Sequence, residues 1–162
     1  MKKERSIIPI FSLLIIALLF AGCSSSATDA NDEPDMEELP EAVITLDNNG
    51  AQSYTIINIE GEGAMAELNT ENPAITLVPG GRYTFVNESG ASAHPLDFRN
   101  SDRQKLFGQS RMNGNFNDVD EIDLVMEGDL ITFTLTEELA AELADYVCSF
   151  HPSMRGDIEI AD

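Results

Sequence analysis

The chain is expected to fold as an all-β sandwich carrying one short helix. Three observations lead there. Short runs of β-branched and aromatic residues recur from Val43 onward, clusters of turn residues separate them, and a single stretch has helical spacing. In chain order the expected strands are 43–46, 54–59, 74–78, 83–86, 122–126 and 130–135, each an alternating or β-branched run. Asn48-Asn49-Gly50, Pro79-Gly80-Gly81 and Glu127-Gly128-Asp129 mark turns between them. The helix is expected at 137–143. Thr136 is placed to cap it, Glu137 and Glu138 suit its positive end, and Leu139 and Leu143 fall on one face. Two further strand-like segments flank residues 148–154.

Three regions precede or make up this body. Lys2, Lys3 and Arg5 are followed by a mostly apolar run over 7–20 and then Ala21-Gly22-Cys23. The run is short for a membrane span and has the form of an export signal, expected over 1–22. Small residues directly before a cysteine, with Ser24-Ser25-Ser26 after it, mark Cys23 as the expected lipidated residue. Residues 23–42 are rich in Asp, Glu, Ser and Pro with few large apolar side chains, so they are expected to form a flexible tether. The folded domain is expected over 43–162. Localisation follows from the leader: exported, lipid-anchored in the cell envelope and facing the periplasm or exterior. The chain has two cysteines. With Cys23 lipidated and Cys148 used elsewhere, no disulfide is expected, although an exported location permits one.

The chemistry concentrates in Tyr146-Val147-Cys148-Ser149-Phe150-His151-Pro152-Ser153-Met154-Arg155-Gly156, where Cys148, His151 and Met154 stand in a Cys-x2-His-x2-Met spacing. Taken singly, each is ordinary: a lone cysteine beside an apolar run is usually a small buried hydrophobe, and a methionine usually fills core. Together, thiolate, imidazole and thioether supply three donors of a mononuclear copper electron-transfer site, in which two imidazoles and a thiolate form a trigonal array with a weak axial thioether. The second imidazole has one source, because His94 is the only other histidine. His94 follows the strand-like Arg82-Tyr83-Thr84-Phe85-Val86-Asn87, and its distance along the chain lets a strand end carry it to the loop. Cys148 is expected to bind as thiolate and both histidines as neutral imidazoles, so affinity should fall in acid. Met154 is the expected axial ligand.

Counting residues disfavours the rivals. A thiolate-bridged dinuclear copper centre needs two cysteines in the loop, and multicopper oxidases need further histidines. Structural zinc with this set lacks a fourth good ligand, since thioether is a poor partner for zinc. A Cys/His nucleophile would have its histidine three residues away on one loop, with no evident orienting Asn or Asp.

These segments resemble the cupredoxins, the plastocyanin/azurin family of blue copper proteins. The loop from Tyr146 to Gly156 is especially similar to the short ligand loop of amicyanin, which also has Cys-x2-His-x2-Met followed by Arg-Gly. The stretch Pro79-Gly80-Gly81-Arg82-Tyr83-Thr84-Phe85-Val86-Asn87, then His94, resembles the family's strand leading to its first histidine. The similarity covers about 43–162, strongly at the two ligand segments and by pattern elsewhere. It implies a cupredoxin-like Greek-key β-sandwich, one type 1 copper ion held by His94, Cys148, His151 and Met154, and one-electron transfer without enzymatic turnover. It also implies an electron exit at His151, with Phe150, Pro152, Pro95 and Leu96 as candidates for the apolar ring around it. Two departures stand out. Many members have asparagine directly after the first histidine, pinning the ligand loop, and here that residue is Pro95. The segment 99–119 is longer than a small plastocyanin-like domain suggests.

The charge is extreme, with 9 basic and 29 acidic residues and a net −20. Nucleic acid is therefore not an expected partner, nor is an anionic bilayer surface, and membrane contact is expected only through the N-terminal lipid. The acids either steer a basic redox partner or adapt the surface to high salt, and their spread along the whole chain favours the second. The expected function is a monomeric carrier moving single electrons between transient redox partners such as a cytochrome, an oxidase or a dehydrogenase. The alternative is a copper-handling protein, a chaperone or store. Met65, Met112 and Met126 are scattered along the chain rather than clustered, which favours the carrier.

Overall fold

A computed structural model describes residues 39–162. The expected leader, Cys23 and the tether as far as residue 38 lie outside the described residues. The first strand, β1 (Glu41–Asn49), opens two residues before the expected domain boundary, and Ala42 is already buried. It is followed by β2 (Ser53–Gly61), β3 (Ala64–Ala66), β4 (Ile75–Leu77), β5 (Arg82–Asn87), β6 (Leu96–Arg99) and β7 (Lys105–Gly108). A 3-10 turn (Asp120–Ile122) precedes β8 (Val125–Glu127) and β9 (Leu130–Thr134), and α1 (Glu137–Glu142) precedes β10 (Asp145–Cys148) and β11 (Arg155–Ile160).

The strands form two sheets, ordered β2-β1-β5-β9-β8 and β3-β4-β11-β10-β6-β7. The protein is thus an all-β sandwich with one short α-helix, as the spacing of its strands predicts. Both sheets are mixed, since β1 pairs with β5 and β4 with β11 in parallel. Alternation sorts the side chains: Ala42, Ile44 and Leu46 of β1 and Tyr83 and Phe85 of β5 are buried, while Glu41 and Val43 face out. An aromatic cluster joins the sheets. Phe133 of β9 lies 5.9 Å from Phe85 on its own sheet and 5.5 and 4.8 Å from Phe98 and Phe107 on the other.

The turns at Gly50, Gly80 and Gly128 all occupy positive φ, as the expected turn clusters require. The Thr136 side chain accepts a hydrogen bond from the Leu139 amide at 3.2 Å and caps α1, which buries Leu139. The expected strand over 122–126 is corrected. Ile122 ends the 3-10 turn and is buried, Asp123 adopts left-handed φ of 44°, and only then does β8 begin, exposed along its whole length. A residue in that conformation cannot continue an extended strand.

β3, β6 and β7 were not among the expected strands. The long segment after β6 contains β7 and a loop that folds back over it. The Phe116 and Asn115 amides donate to the carbonyls of Leu106 and Lys105 at 2.8 and 3.1 Å. Gly114 makes this possible, because a side chain there would collide with the Leu106 carbonyl. At the far end of the other sheet β8 is an open edge. It and its turn expose Val125, Met126 and Leu130 among the exposed acids Glu121, Asp123, Glu127 and Asp129.

Candidate metal centre

The ligand loop is a short connection between neighbouring antiparallel strands. β10 ends at Cys148, β11 begins at Arg155, and β10 also pairs with β6 so that Cys148 lies opposite Leu96. That register explains how His94, far away in sequence, reaches the loop: it stands two residues before Leu96, at the end of the strand beside β10. His94 does not extend β5 directly. A compact turn intervenes, in which the Gly90 amide donates to the Asn87 carbonyl at 3.0 Å and the His94 amide to the Gly90 carbonyl at 2.8 Å.

Backbone hydrogen bonds close the loop on itself. The Cys148 amide donates to the Met154 carbonyl at 2.9 Å, the Met154 amide to the His151 carbonyl at 2.9 Å, and the His151 amide to the Cys148 carbonyl at 3.3 Å. The loop is stitched to the His94 segment by the Ser149 amide, which donates to the Pro95 carbonyl at 3.0 Å. The tie that an asparagine after His94 would provide is thus replaced by the main chain of Pro95 itself. His94 is held in turn through its own carbonyl, which accepts from Tyr54 Oη at 2.7 Å and from Asn87 Nδ2 at 2.8 Å. Asn48 Nδ2 stands 3.5 Å from His94 Nε2.

Three of the expected ligands converge. Cys148 Sγ is 3.8 Å from His94 Nδ1 and 3.5 Å from His151 Nδ1, and the two imidazole centroids are 4.8 Å apart. The donor atoms all lie within 4.8 Å of one another, so His94, Cys148 and His151 form a group that could hold a metal ion. The separations fit a shared ion: metal–nitrogen bonds of about 2.0 Å and a metal–sulfur bond of about 2.3 Å imply sulfur–nitrogen distances of roughly 3.5–3.7 Å at tetrahedral to trigonal angles. Cys148 is buried and both histidines are half-buried. Met154 is fully buried at the loop's end, its backbone bonded to Cys148 and His151.

The surroundings favour neutral donors around the sulfur. Burial, and then the facing His151, lower the proton affinity of His94. Burial, with a smaller contribution from Cys148, raises the Tyr54 phenol far above its ordinary range, so Tyr54 stays protonated and keeps donating to His94. Of the residues expected to ring His151, Phe150 and Pro152 are exposed. Leu96 is wholly buried and Pro95 is also buried, because both belong to the segment entering β6 beneath the loop. Beside Cys148 opens a groove of about 750 Å³ whose walls include Met112, Phe150 and Pro152.

Asn48, Tyr54, Asn87 and Asp97 were not singled out from the sequence as site residues. They come from four strands and act by contacts that have no fixed spacing along the chain. Ser149 was likewise not singled out, although its position next to Cys148 could have flagged it. No protein-family model and no curated protein matches the chain.

Proposed function

We propose that this is a cupredoxin-type domain that holds one type 1 copper ion and carries single electrons between protein redox partners, such as a cytochrome, an oxidase or a dehydrogenase. In this reading Cys23 carries lipid that anchors the chain in the cell envelope, facing the periplasm or exterior. The observation that carries the reading is the meeting of Cys148 Sγ with Nδ1 of both His94 and His151, with Met154 buried at the end of the same loop. Two imidazoles, a thiolate and a nearby thioether are the donor set of blue-copper electron-transfer sites.

A bound copper ion supplies a one-electron couple. The chain's own residues fix the donors. Cys148, His151 and Met154 share a loop closed by three hydrogen bonds, and His94 is held by Tyr54 and Asn87. Donors held this firmly change little between oxidation states, which keeps the barrier to electron exchange low. His151 turns Nδ1 toward Cys148, so its opposite ring edge faces away from the sulfur, and its chain neighbours Phe150 and Pro152 are exposed. That edge is the proposed electron exit, and the expected complexes are small and short-lived.

Copper(II) titration of the purified protein tests the reading. An intense thiolate-to-copper absorption and a narrow copper hyperfine splitting in electron paramagnetic resonance are expected. A colourless adduct with ordinary tetragonal spectra would sink the electron-carrier reading. It would favour delivery of the ion instead, for which Met112, 74% exposed on the groove beside Cys148, is the supporting observation. Met154→Leu should keep most of the colour and raise the reduction potential, measured by redox titration, because the axial ligand tunes the couple without anchoring the ion.

Affinity should fall with acid as protons compete for the imidazoles. Because the folded structure lowers the proton affinity of His94, its competition begins only below the ordinary histidine range of about 6.5. Metal affinity measured from pH 8 down to pH 5 should therefore fall throughout, because the ion must displace a proton from the Cys148 thiol, and more steeply once the imidazoles also take up protons.

A further inference from the structure

Lys105 is the only lysine among the described residues, and it is not on the surface. Its side chain is 9% exposed, with Nζ 3.0 Å from Oδ1 of Asp97, which is 8% exposed. Nζ also donates to Ser110 Oγ at 2.7 Å and to the carbonyls of Ser110 and Gly108 at 3.0 and 3.2 Å. Removing two charges from water offsets most of their mutual attraction, so such a pair adds little net stability. What it supplies is a fixed position for a charge.

The two oxygens of Asp97 face different parts of the fold. Oδ1 meets Lys105 and accepts the Ser110 amide at 3.0 Å. Oδ2 accepts Ser110 Oγ at 2.5 Å and also Ser149 Oγ. Ser149 directly follows Cys148, and Asp97 lies on β6 opposite Val147 of β10. One carboxylate therefore ties together β6, the loop after β7 and the first residue of the ligand loop. Of the two charges, it is the carboxylate that bonds the ligand loop, with the ammonium on its other oxygen.

We propose that Asp97 is a positioning residue for the metal centre. Through Ser149 it fixes the turn that leaves Cys148, and with Lys105 behind it presents a buried negative charge that favours the more highly charged state of the ion. The effect on potential rests on the copper reading above. The positioning effect applies to any divalent ion held by His94, Cys148 and His151.

Four proteins test this: wild type, Asp97→Asn, Lys105→Gln and Ser149→Ala. Cobalt(II) affinity is read from thiolate charge-transfer absorption, the reduction potential from the copper-loaded forms, and the melting temperature from the apo-proteins. Asp97→Asn should bind cobalt about three- to tenfold more weakly, less than when a direct partner of a metal ligand is removed, because it acts through Ser149. Its copper potential should rise, because the near negative charge is gone. Lys105→Gln should lower the potential, because the far positive charge is gone and the carboxylate remains. A merely loosened fold would move both potentials the same way, so shifts of equal sign overturn the electrostatic part.

Ser149→Ala keeps the ion pair intact and guards against an Asp97 variant that does not fold. It should weaken cobalt binding with the melting temperature unchanged. Cobalt affinity within about twofold of wild type in this variant overturns the positioning role. Absence of a reversible copper couple in the wild type would defeat the copper reading alone, and the cobalt measurements would still decide for or against Asp97.

Discussion

Cys148→Ala should abolish the thiolate-to-copper absorption and leave only weak, tetragonal copper binding. Cys148 is the one donor within hydrogen-bonding range of both imidazoles, at 3.8 and 3.5 Å. Without it the group reduces to two half-buried histidines, which lack the soft anionic ligand that selects copper. The apo-fold should survive. A single sulfur atom leaves the core of a strand end, at a cost on the order of 1 kcal/mol in unfolding free energy. Loss of colour with a near-native denaturation midpoint is the expected pair of results. Retention of the intense absorption in the alanine variant would remove Cys148 from the site.

Phe133→Ala should have the largest effect on stability, about 3–5 kcal/mol. Its ring packs 5.9 Å from Phe85, 5.5 Å from Phe98 and 4.8 Å from Phe107, and so fastens one sheet to the other. A loss of that size is a large share of the roughly 5–15 kcal/mol typical of a whole domain. The effect should reach the metal group, because Phe98 belongs to β6, the strand that His94 leads into. Urea denaturation should show a larger loss in the metal-loaded form than in the apo form, since a disturbed site binds the ion more weakly and gains less stability from it. Phe133→Leu should recover most of the stability. An alanine variant with an unchanged midpoint would contradict the role given to the aromatic cluster.

The sandwich was legible because the inner strands of its five-stranded sheet alternate. In β1, β5 and β9 the in-and-out pattern of Ile44, Leu46, Phe85 and Phe133 survives in the sequence. It fails in β6, where Leu96, Asp97 and Phe98 are all buried, the charge being neutralised by Lys105 of the neighbouring β7. β7 is as short, and its Leu106 and Phe107 are both buried under a loop the sequence gives no reason to expect. For 122–126 the apolar residues gave the right composition and the wrong backbone, because Asp123 turns the chain. The site was legible for the opposite reason. Two of the three grouped residues, Cys148 and His151, are close in sequence, and the remaining histidine had no competitor. The polar side chains that hold those donors come from separate strands, so only the folded chain brings them together.

The open edge at β8 has a consequence for handling the molecule. Its Val125, Met126 and Leu130 form a greasy rim with unpaired main-chain groups, the surface on which chains stack in register. Repulsion between the exposed Glu121, Glu127 and Asp129 of neighbouring molecules opposes stacking there. Once acid discharges those carboxylates, precipitation should start at this rim, before the core has given way.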